Sequence, residues 1–181
     1  MTGALIKGTV LGGLVLFVWG AISWMALPFH GNVLQGFANE DAVLQAITAH
    51  APRSGVYLLP NTEGGGEAAQ QAAQERMQKG PGVLAAIRVG PMGSMASYML
   101  SGLLIQMAAA LVGTGLLLRA RLETYGARVV FLAVTGLLIG IAGHLPQWNW
   151  WHFSTGYTLL EMADLVISWT LAGLVIGKVA R

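Results

Sequence analysis

The sequence predicts an all-α integral membrane protein, a four-transmembrane-helix up-down bundle with a small αβ extracytoplasmic cap between helices 1 and 2. Two observations predict this class. Hydrophobic residues make up 55% of the 181 residues and charged residues only 10%, whereas a soluble domain carries about 25% charged residues. Four apolar stretches are also long enough to cross the hydrocarbon layer of a bilayer, which takes roughly 20 residues in a helix.

Composition also excludes several classes of function. The chain has no cysteine, so disulfides and sites built on thiolates are excluded. Its glycine-rich stretches contain neither a GxGxxG pattern nor the lysine of a P-loop, so no nucleotide site is predicted. The net charge of +2 comes from cations spread along a mostly apolar chain, and such a distribution does not form a nucleic-acid-binding surface.

The predicted transmembrane helices follow from where the apolar stretches begin and end. In lipid the backbone must satisfy its own hydrogen bonds, so each stretch is expected to be helical. Pro28 closes the first stretch, and Pro146 is predicted to end the third because proline removes a backbone donor. The four transmembrane helices are predicted at residues 4–27, 94–118, 127–145 and 157–179.

The lysine and arginine residues near the helix ends predict the orientation. With four helices they all fall on one side of the membrane, and cytoplasmic loops carry an excess of such residues. The residues concerned are Lys7, Arg119, Arg121, Arg128, Lys178 and Arg181. Both termini are therefore predicted to be cytoplasmic in a multi-pass protein of the cell (inner) membrane, with residues 28–93 and 146–156 outside.

Residues 28–93, which we name the cap segment, are too many to form an unstructured loop in a compact protein. Asn39 is a suitable N-cap for a helix from Glu40 to about His50. Residues 54–60 and 82–90 are predicted to be strands that pair as a ribbon, and residues 67–78 a solvated helix. Because such a unit is too small to hold its own core, we expect it to rest on the bundle or on residues 146–156.

Small residues spaced four apart mark a packing face on each predicted transmembrane helix. Inside lipid, helices associate by close backbone packing, which small residues allow. The short connections further predict that helices two, three and four are antiparallel neighbours, and Gln106 is expected to form an interhelical hydrogen bond. The predicted packing residues are Gly8 and Gly12, Ala109 and Gly113, Gly136 and Gly140, and Gly173 and Gly177.

The fourth predicted transmembrane helix carries the clearest candidate site. Ionisable residues inside a membrane usually face the protein interior and mark functional sites. Four polar residues, which we name the polar stripe, are spaced 4, 3 and 4 positions apart and so share one helical face; they are Tyr157, Glu161, Asp164 and Ser168. The stripe is interpreted as a polar lock between helices or as part of a site; the alternative for Glu161 is a solvated position at the membrane surface.

A divalent metal site is a second hypothesis for the same region, since imidazole and carboxylate ligands suit such an ion. The candidate ligands all map to the outer half of the protein; they are His30, His144, His152, Glu161 and Asp164. No histidine pair has the i, i+4 spacing of ligands on one helix. The simpler interpretation is that His144 forms a hydrogen bond with Glu161 or with a loop carbonyl.

Haem and copper are two further cofactors whose ligands the sequence contains. A membrane haem needs histidines that face each other inside the bundle, but only His144 lies within a predicted transmembrane helix. Thioether sulfur suits Cu(I), and methionines are found at comparable depth; they are Met25, Met92, Met95, Met99 and Met162. Because methionine is also common in apolar packing, no cofactor is predicted.

Residues 146–156, which we name the aromatic loop, contain no lysine or arginine. Their aromatic residues are Trp148, Trp150, Trp151 and Phe153. Such rings are typical of a membrane–water interface, where their apolar bodies meet lipid and their polar edges meet water. Covering a quinone or a lipid headgroup is the alternative role.

Three functions are consistent with these features. The favoured one is a small polytopic binding or accessory subunit without catalytic activity, which contacts a membrane-protein partner or lipid through the cap segment and the aromatic loop. The second is a redox or metal-dependent membrane protein with a site at its outer face. The third is a small transporter, which requires a homo-oligomer because one four-helix bundle leaves little room for a pore.

Overall fold

The computed structural model describes residues 2–62 and 65–180, which form six α-helices and two strands. In chain order these are α1 Thr2–Ala21, α2 Glu40–His50, β1 Gly55–Leu59, α3 Glu67–Lys79, β2 Val83–Ile87, α4 Met95–Ala120, α5 Tyr125–Trp151 and α6 Thr155–Val179. A π-helical turn, Ile22–Ala26, extends α1. With this turn, α1 is long and apolar enough to cross a membrane, and so are α4, α5 and α6.

The chain divides into two compact units. One, the bundle unit, consists of Met1–Gln35 with Gly93–Arg181 and contains the four long helices. The other, the cap unit, is Gly36–Met92 and contains α2, α3 and the two strands. The four long apolar helices and the two-strand sheet that the sequence predicts are therefore present.

Side-chain caps explain where four helices begin. A serine, threonine or asparagine precedes each one, and its side-chain oxygen accepts a hydrogen bond from a backbone N–H of the first turn, which otherwise has no partner. These N-caps are Asn39 for α2, Ser94 for α4, Thr124 for α5 and Ser154 for α6. At their other ends, α4 and α5 are followed by Arg121 and His152 in the left-handed conformation, which terminates a helix.

The structure corrects the prediction that Pro146 ends the third transmembrane helix. Helix α5 continues through Pro146 to Trp151, so the first six residues of the aromatic loop are helical. Proline lacks the N–H of one helical hydrogen bond, but within a membrane helix the neighbouring structure tolerates this loss. Only residues 152–154 connect α5 to α6, and the tryptophans therefore lie on the last turns of a helix.

The long helices pack unequally. Helix α5 packs along α6, and α1 packs along α4 and against α6, whereas α4 and α5 touch at few positions. The expectation that the second and third transmembrane helices are close neighbours is therefore met only weakly. The buried core lies where α1, α4, α5 and α6 meet and includes Leu16, Ala110, Leu117, Leu132, Trp169, Ala172 and Ile176.

The predicted small residues lie where helices approach one another. A Cβ atom added to Gly136 would lie 2.6 Å from the carbonyl oxygen of Leu165, and one added to Gly12 would lie 2.5 Å from the side chain of Ile176. The remaining glycines face Thr114 (Gly8), Trp169 (Gly113), Met162 (Gly140), Val129 (Gly173) and Arg128 with Tyr125 (Gly177). Ala109 is partly buried against the core. At each glycine the missing side chain lets a neighbouring helix come close.

Arg128, near the start of α5, joins three segments at one end of the bundle. Its guanidinium donates to the carbonyl oxygens of Leu122 (3.0 Å), Glu123 (2.9 Å) and Gly177 (3.1 Å). The last of these belongs to the final turns of α6, whose carbonyl groups lack helical partners and favour a cation. The start of α5, the end of α6 and the loop that follows α4 therefore meet at one end of the bundle.

The cap unit has almost no core of its own. Strands β1 and β2 pair antiparallel, with Tyr57 opposite Ala85. Of the apolar side chains that the structure describes in this unit, only those of Ala51, Pro60 and Ala73 are buried. Val56, Leu44 and Leu59 are exposed, Val56 to 73%. A two-stranded ribbon with so little burial has marginal stability by itself.

Candidate functional site

Asp164 lies at the centre of a polar contact between α6 and α1. Its Oδ1 atom accepts a hydrogen bond from Trp19 Nε1 at 2.8 Å and a second from Ser23 Oγ at 2.7 Å. Trp19 and Ser23 are four residues apart at the end of α1 and in the π-helical turn, so they reach Asp164 from the same side. Ser23 is 1% exposed. The contact ties the two helices together inside the bundle.

His30 and Glu161 form a second contact beside the first. The His30 side chain is 2% exposed, and its Nε2 atom lies 3.2 Å from Glu161 Oε1. The pair is close enough for an ion pair, but it is not aligned as a hydrogen bond, and both atoms lack a hydrogen-bond partner among the described residues. The other ring nitrogen, Nδ1, lies 3.3 Å from the carbonyl oxygen of Ser23. The ring of Trp24 stacks on His30 at a centroid distance of 3.9 Å.

The neighbours of His30 restrict the role that each ring nitrogen can have. The Ser23 carbonyl can only accept, so Nδ1 must carry the hydrogen of that contact. In a neutral ring Nε2 would then present a lone pair to a carboxylate oxygen, which is repulsive. The arrangement is favourable when the ring is doubly protonated or when Glu161 carries the proton.

A partly enclosed cavity of about 240 Å³ lies next to these contacts, lined by residues from all four long helices. Its lining residues are Leu16, Trp19, Gly20, Trp24, Gln106, His144, Glu161, Asp164, Leu165, Ser168 and Trp169. They include two carboxylates, an imidazole, an amide and three tryptophans, but no lysine or arginine. Polar groups that converge on one cavity from several helices are typical of small-molecule sites.

The structure divides the polar stripe. Glu161, Asp164 and Ser168 line the cavity, but Ser168 Oγ donates to the carbonyl oxygen of Leu165 in its own helix. Tyr157 lies elsewhere, in a shallow pocket with Val33 to Gln35 and Phe153, and its ring packs near that of Phe153 at a centroid distance of 5.7 Å. Three of the four residues of the polar stripe therefore line the cavity, and Tyr157 does not.

Two polar residues of the cavity face it without hydrogen-bond partners among the described residues. Gln106 of α4 was expected to bond across the helices, and His144 of α5 to bond to Glu161 or to a loop carbonyl. Neither hydrogen bond is formed, although both side chains line the cavity with Glu161. His30 is the nearest charged partner of Glu161, and His144 lies close enough to interact with Glu161 electrostatically without a hydrogen bond.

The candidate metal ligands do not come together as a metal site. Within residues 2–62 and 65–180, no group of three histidine, aspartate or glutamate side chains is placed to hold a metal ion. Both ring nitrogens of His30 already face Ser23 and Glu161, which leaves none for a divalent metal or a haem iron. His152 is exposed beyond the end of α5. Of the methionines considered for copper, Met25, Met92, Met95 and Met99 are exposed.

The tryptophans at the end of α5 are exposed and do not line the cavity. Trp150 is 71% exposed, and Trp148 and Trp151 are each 45% exposed. Trp148 Nε1 donates to Thr155 Oγ1 at 3.1 Å, which joins the end of α5 to the start of α6. Phe153 is partly buried in the connection between the two helices.

Sequence interpretation missed Trp19, Ser23 and Trp24, which supply the α1 side of the site. The signal was present, because Trp19 and Ser23 are two hydrogen-bond donors spaced i, i+4 in an otherwise apolar stretch. Such a pair on one transmembrane helix is a natural partner for a carboxylate on another. Comparison with known proteins adds no further residue: no family model, no curated protein and no solved structure matches this chain.

Proposed function

We propose that this chain is a non-catalytic accessory protein of the cell (inner) membrane that binds a membrane-protein partner outside the cytoplasm. The contact surface is the cap segment together with the aromatic loop. In this proposal the polar contacts of Glu161 and Asp164 hold α6 against α1 and the segment that follows it. The observation that carries the proposal is the cap unit, which exposes apolar side chains and buries almost none of its own.

The exposed apolar residues of the cap unit support a role in binding. An apolar surface in water is unfavourable, and a contiguous one marks an interaction site. Val56, Leu59 and Leu44 are exposed to between 57% and 73%, and the ribbon that carries two of them has little burial to stabilise it. A partner that covers these side chains would supply the missing apolar burial, at about 25 cal/mol per Å².

The polar contacts of the bundle support a structural role for its ionisable residues. Asp164 holds two donors from α1, and Glu161 faces His30. Each carboxylate therefore has a partner on α1 or in the segment that follows it, as a structural contact between helices requires. The absence of a catalytic motif in the sequence agrees with this interpretation.

The orientation in the membrane is tested by labelling single cysteines, since the chain has none of its own. Gln70→Cys in α3 and Glu123→Cys between α4 and α5 both lie at exposed positions. On intact cells an impermeant maleimide should label Gln70→Cys, and it should label Glu123→Cys only after the membrane is permeabilised. Equal labelling of both, or labelling in the reverse order, would contradict the proposed orientation.

Partner binding is tested by placing a photoreactive amino acid in the proposed contact surface. Val56 in β1 and Trp150 near the end of α5 are suitable positions because they are 73% and 71% exposed. Illumination of cells should then give one discrete adduct with another membrane protein from both positions. Leu138 is a matched control, since it is 63% exposed in the middle of α5 and should contact lipid. Adducts absent from Val56 and Trp150, or equally strong from Leu138, would refute the proposal.

A further inference from the structure

We propose that the cavity enclosed by α1, α4, α5 and α6 binds a small organic ammonium ion. The proposal goes beyond the contact surface described above, because it concerns the interior of the bundle. Four properties of the cavity carry it: its charge, its size, its aromatic walls and its polar groups without partners.

The charge of the lining favours a single positive charge. Two carboxylates line the cavity, with no lysine or arginine. A doubly protonated His30 ring would balance Glu161, from which it is 3.2 Å away. Asp164 receives hydrogen bonds only from neutral donors, Trp19 Nε1 and Ser23 Oγ. The Asp164 carboxylate is partly buried and receives no hydrogen bond from a cationic side chain, and a charge removed from water is unfavourable unless it is paired.

The size of the cavity limits how much of a ligand it can hold. Its volume is about 240 Å³, which is below the roughly 300–1,000 Å³ of sites for drug-sized molecules. At about 30 Å³ for each water molecule, it has room for an ammonium group that carries only a few carbon atoms. A methylammonium or an ethanolamine-sized ion fits this volume.

The walls favour an organic cation over a bare metal ion. Trp19, Trp24 and Trp169 line the cavity, and tryptophan is the best aromatic partner for ammonium groups through the cation–π interaction. A divalent metal would instead require several oxygen or nitrogen ligands around one point. Such a ligand cluster is absent from residues 2–62 and 65–180.

The polar groups without partners match the hydrogen-bonding capacity of an ammonium ion. Gln106 of α4 and His144 of α5 line the cavity together with the carboxylates of α6. The amide oxygen of Gln106 and a neutral ring nitrogen of His144 both accept hydrogen bonds. A primary ammonium group has three N–H donors, and these residues together with the carboxylates offer it acceptors from three helices. The ion would therefore connect parts of the bundle that have few direct contacts.

The test is a titration of the full-length protein, purified in a nonionic detergent, with methylammonium chloride. Tryptophan fluorescence should change in a saturable manner, because three tryptophans line the cavity, and the thermal unfolding midpoint should rise with ligand concentration. Sodium chloride and methanol at the same concentrations control for ionic strength and for the methyl group, and neither should saturate.

Two variants and one control locate the site. Asp164→Asn should lower the affinity for methylammonium at least tenfold. Gln106→Leu should lower the affinity at least threefold and should still fold, because Gln106 makes no hydrogen bond within the described chain. This second variant tests the site even if Asp164→Asn fails to fold. Glu123→Gln removes an exposed acid that lies in the loop between α4 and α5 and does not line the cavity. This control should leave the affinity unchanged. Wild-type affinity in both cavity variants, or a response that sodium reproduces, would overturn the proposal.

The natural source of the ammonium group is either a free amine or a lipid headgroup. Titrations in nanodiscs of phosphatidylglycerol alone and of phosphatidylglycerol with phosphatidylethanolamine separate these sources. A weaker apparent affinity for methylammonium in the second membrane supports binding of the ethanolamine headgroup, which competes for the cavity. Equal affinity in the two membranes supports a free amine. No saturable binding in either membrane contradicts the proposed site.

Discussion

Replacing Gly136 by alanine should lower the free energy of unfolding by about 1–3 kcal/mol, the usual effect of excess volume in a packed interior. The new Cβ atom would lie 2.6 Å from the carbonyl oxygen of Leu165 and 2.8 Å from the Cβ atom of Trp169. Both obstacles belong to the rigid part of α6, so α5 and α6 would have to separate. Circular dichroism during titration with a denaturing detergent measures the loss.

Gly143→Ala is the matched control for this substitution. Gly143 lies on the same helix, and nothing lies within 4 Å of the position that its Cβ atom would occupy. This variant should be slightly more stable than the wild type, by less than about 1 kcal/mol, because alanine favours the helix over glycine. Equal losses in both variants would show that α5 and α6 do not pack through Gly136.

Replacing Asp164 by leucine should cost about 2–4 kcal/mol of stability, the largest effect that we expect from a single polar residue. The variant removes the acceptor of two hydrogen bonds, each worth about 1–2 kcal/mol in model transmembrane helices. It also leaves Trp19 Nε1 and Ser23 Oγ without partners. Asp164→Asn keeps an acceptor oxygen and should lose less, about 1 kcal/mol.

A double-mutant cycle shows whether the loss comes from the contact itself. Trp19→Phe removes the indole donor and should be non-additive with Asp164→Leu. Trp24→Phe removes a neighbouring indole that stacks on His30 and donates nothing to Asp164, so its effect should add to that of Asp164→Leu. Additive losses in both cycles would contradict a direct bond between Trp19 and Asp164.

The long helices were predictable because the composition of each stretch by itself determines its backbone conformation. An apolar stretch of about 20 residues has one stable backbone conformation in lipid, since its N–H and C=O groups must bond within the segment. The same holds for Asn39, whose side chain accepts from Ala42 N at 3.0 Å as its place before α2 predicts. Pro146 was misjudged because its effect depends on surroundings that the sequence does not display, and α5 continues to Trp151.

The candidate site was only half predictable. Glu161 and Asp164 were found because charged residues in an apolar stretch are conspicuous, whereas their partners are residues that ordinarily need no explanation. Trp19 and Ser23 fit an apolar helix, and His30 lies after a proline in what the sequence presents as a loop. Which donor meets which acceptor depends on how the helices are rotated, and glycines such as Gly12 and Gly136 allow close packing without fixing that rotation.

The unequal packing of the long helices has a consequence for the order in which the molecule is made. Helices leave the ribosome from the N-terminus, so α6 is inserted after α1, α4 and α5, yet it contributes five of the residues that line the cavity. Before α6 arrives, Trp19 and Ser23 have no carboxylate to bind, and His30 has no acid to face. The cavity is therefore completed only when α6 arrives, and a chain truncated after α5 would enter the bilayer as a tethered set of helices without it.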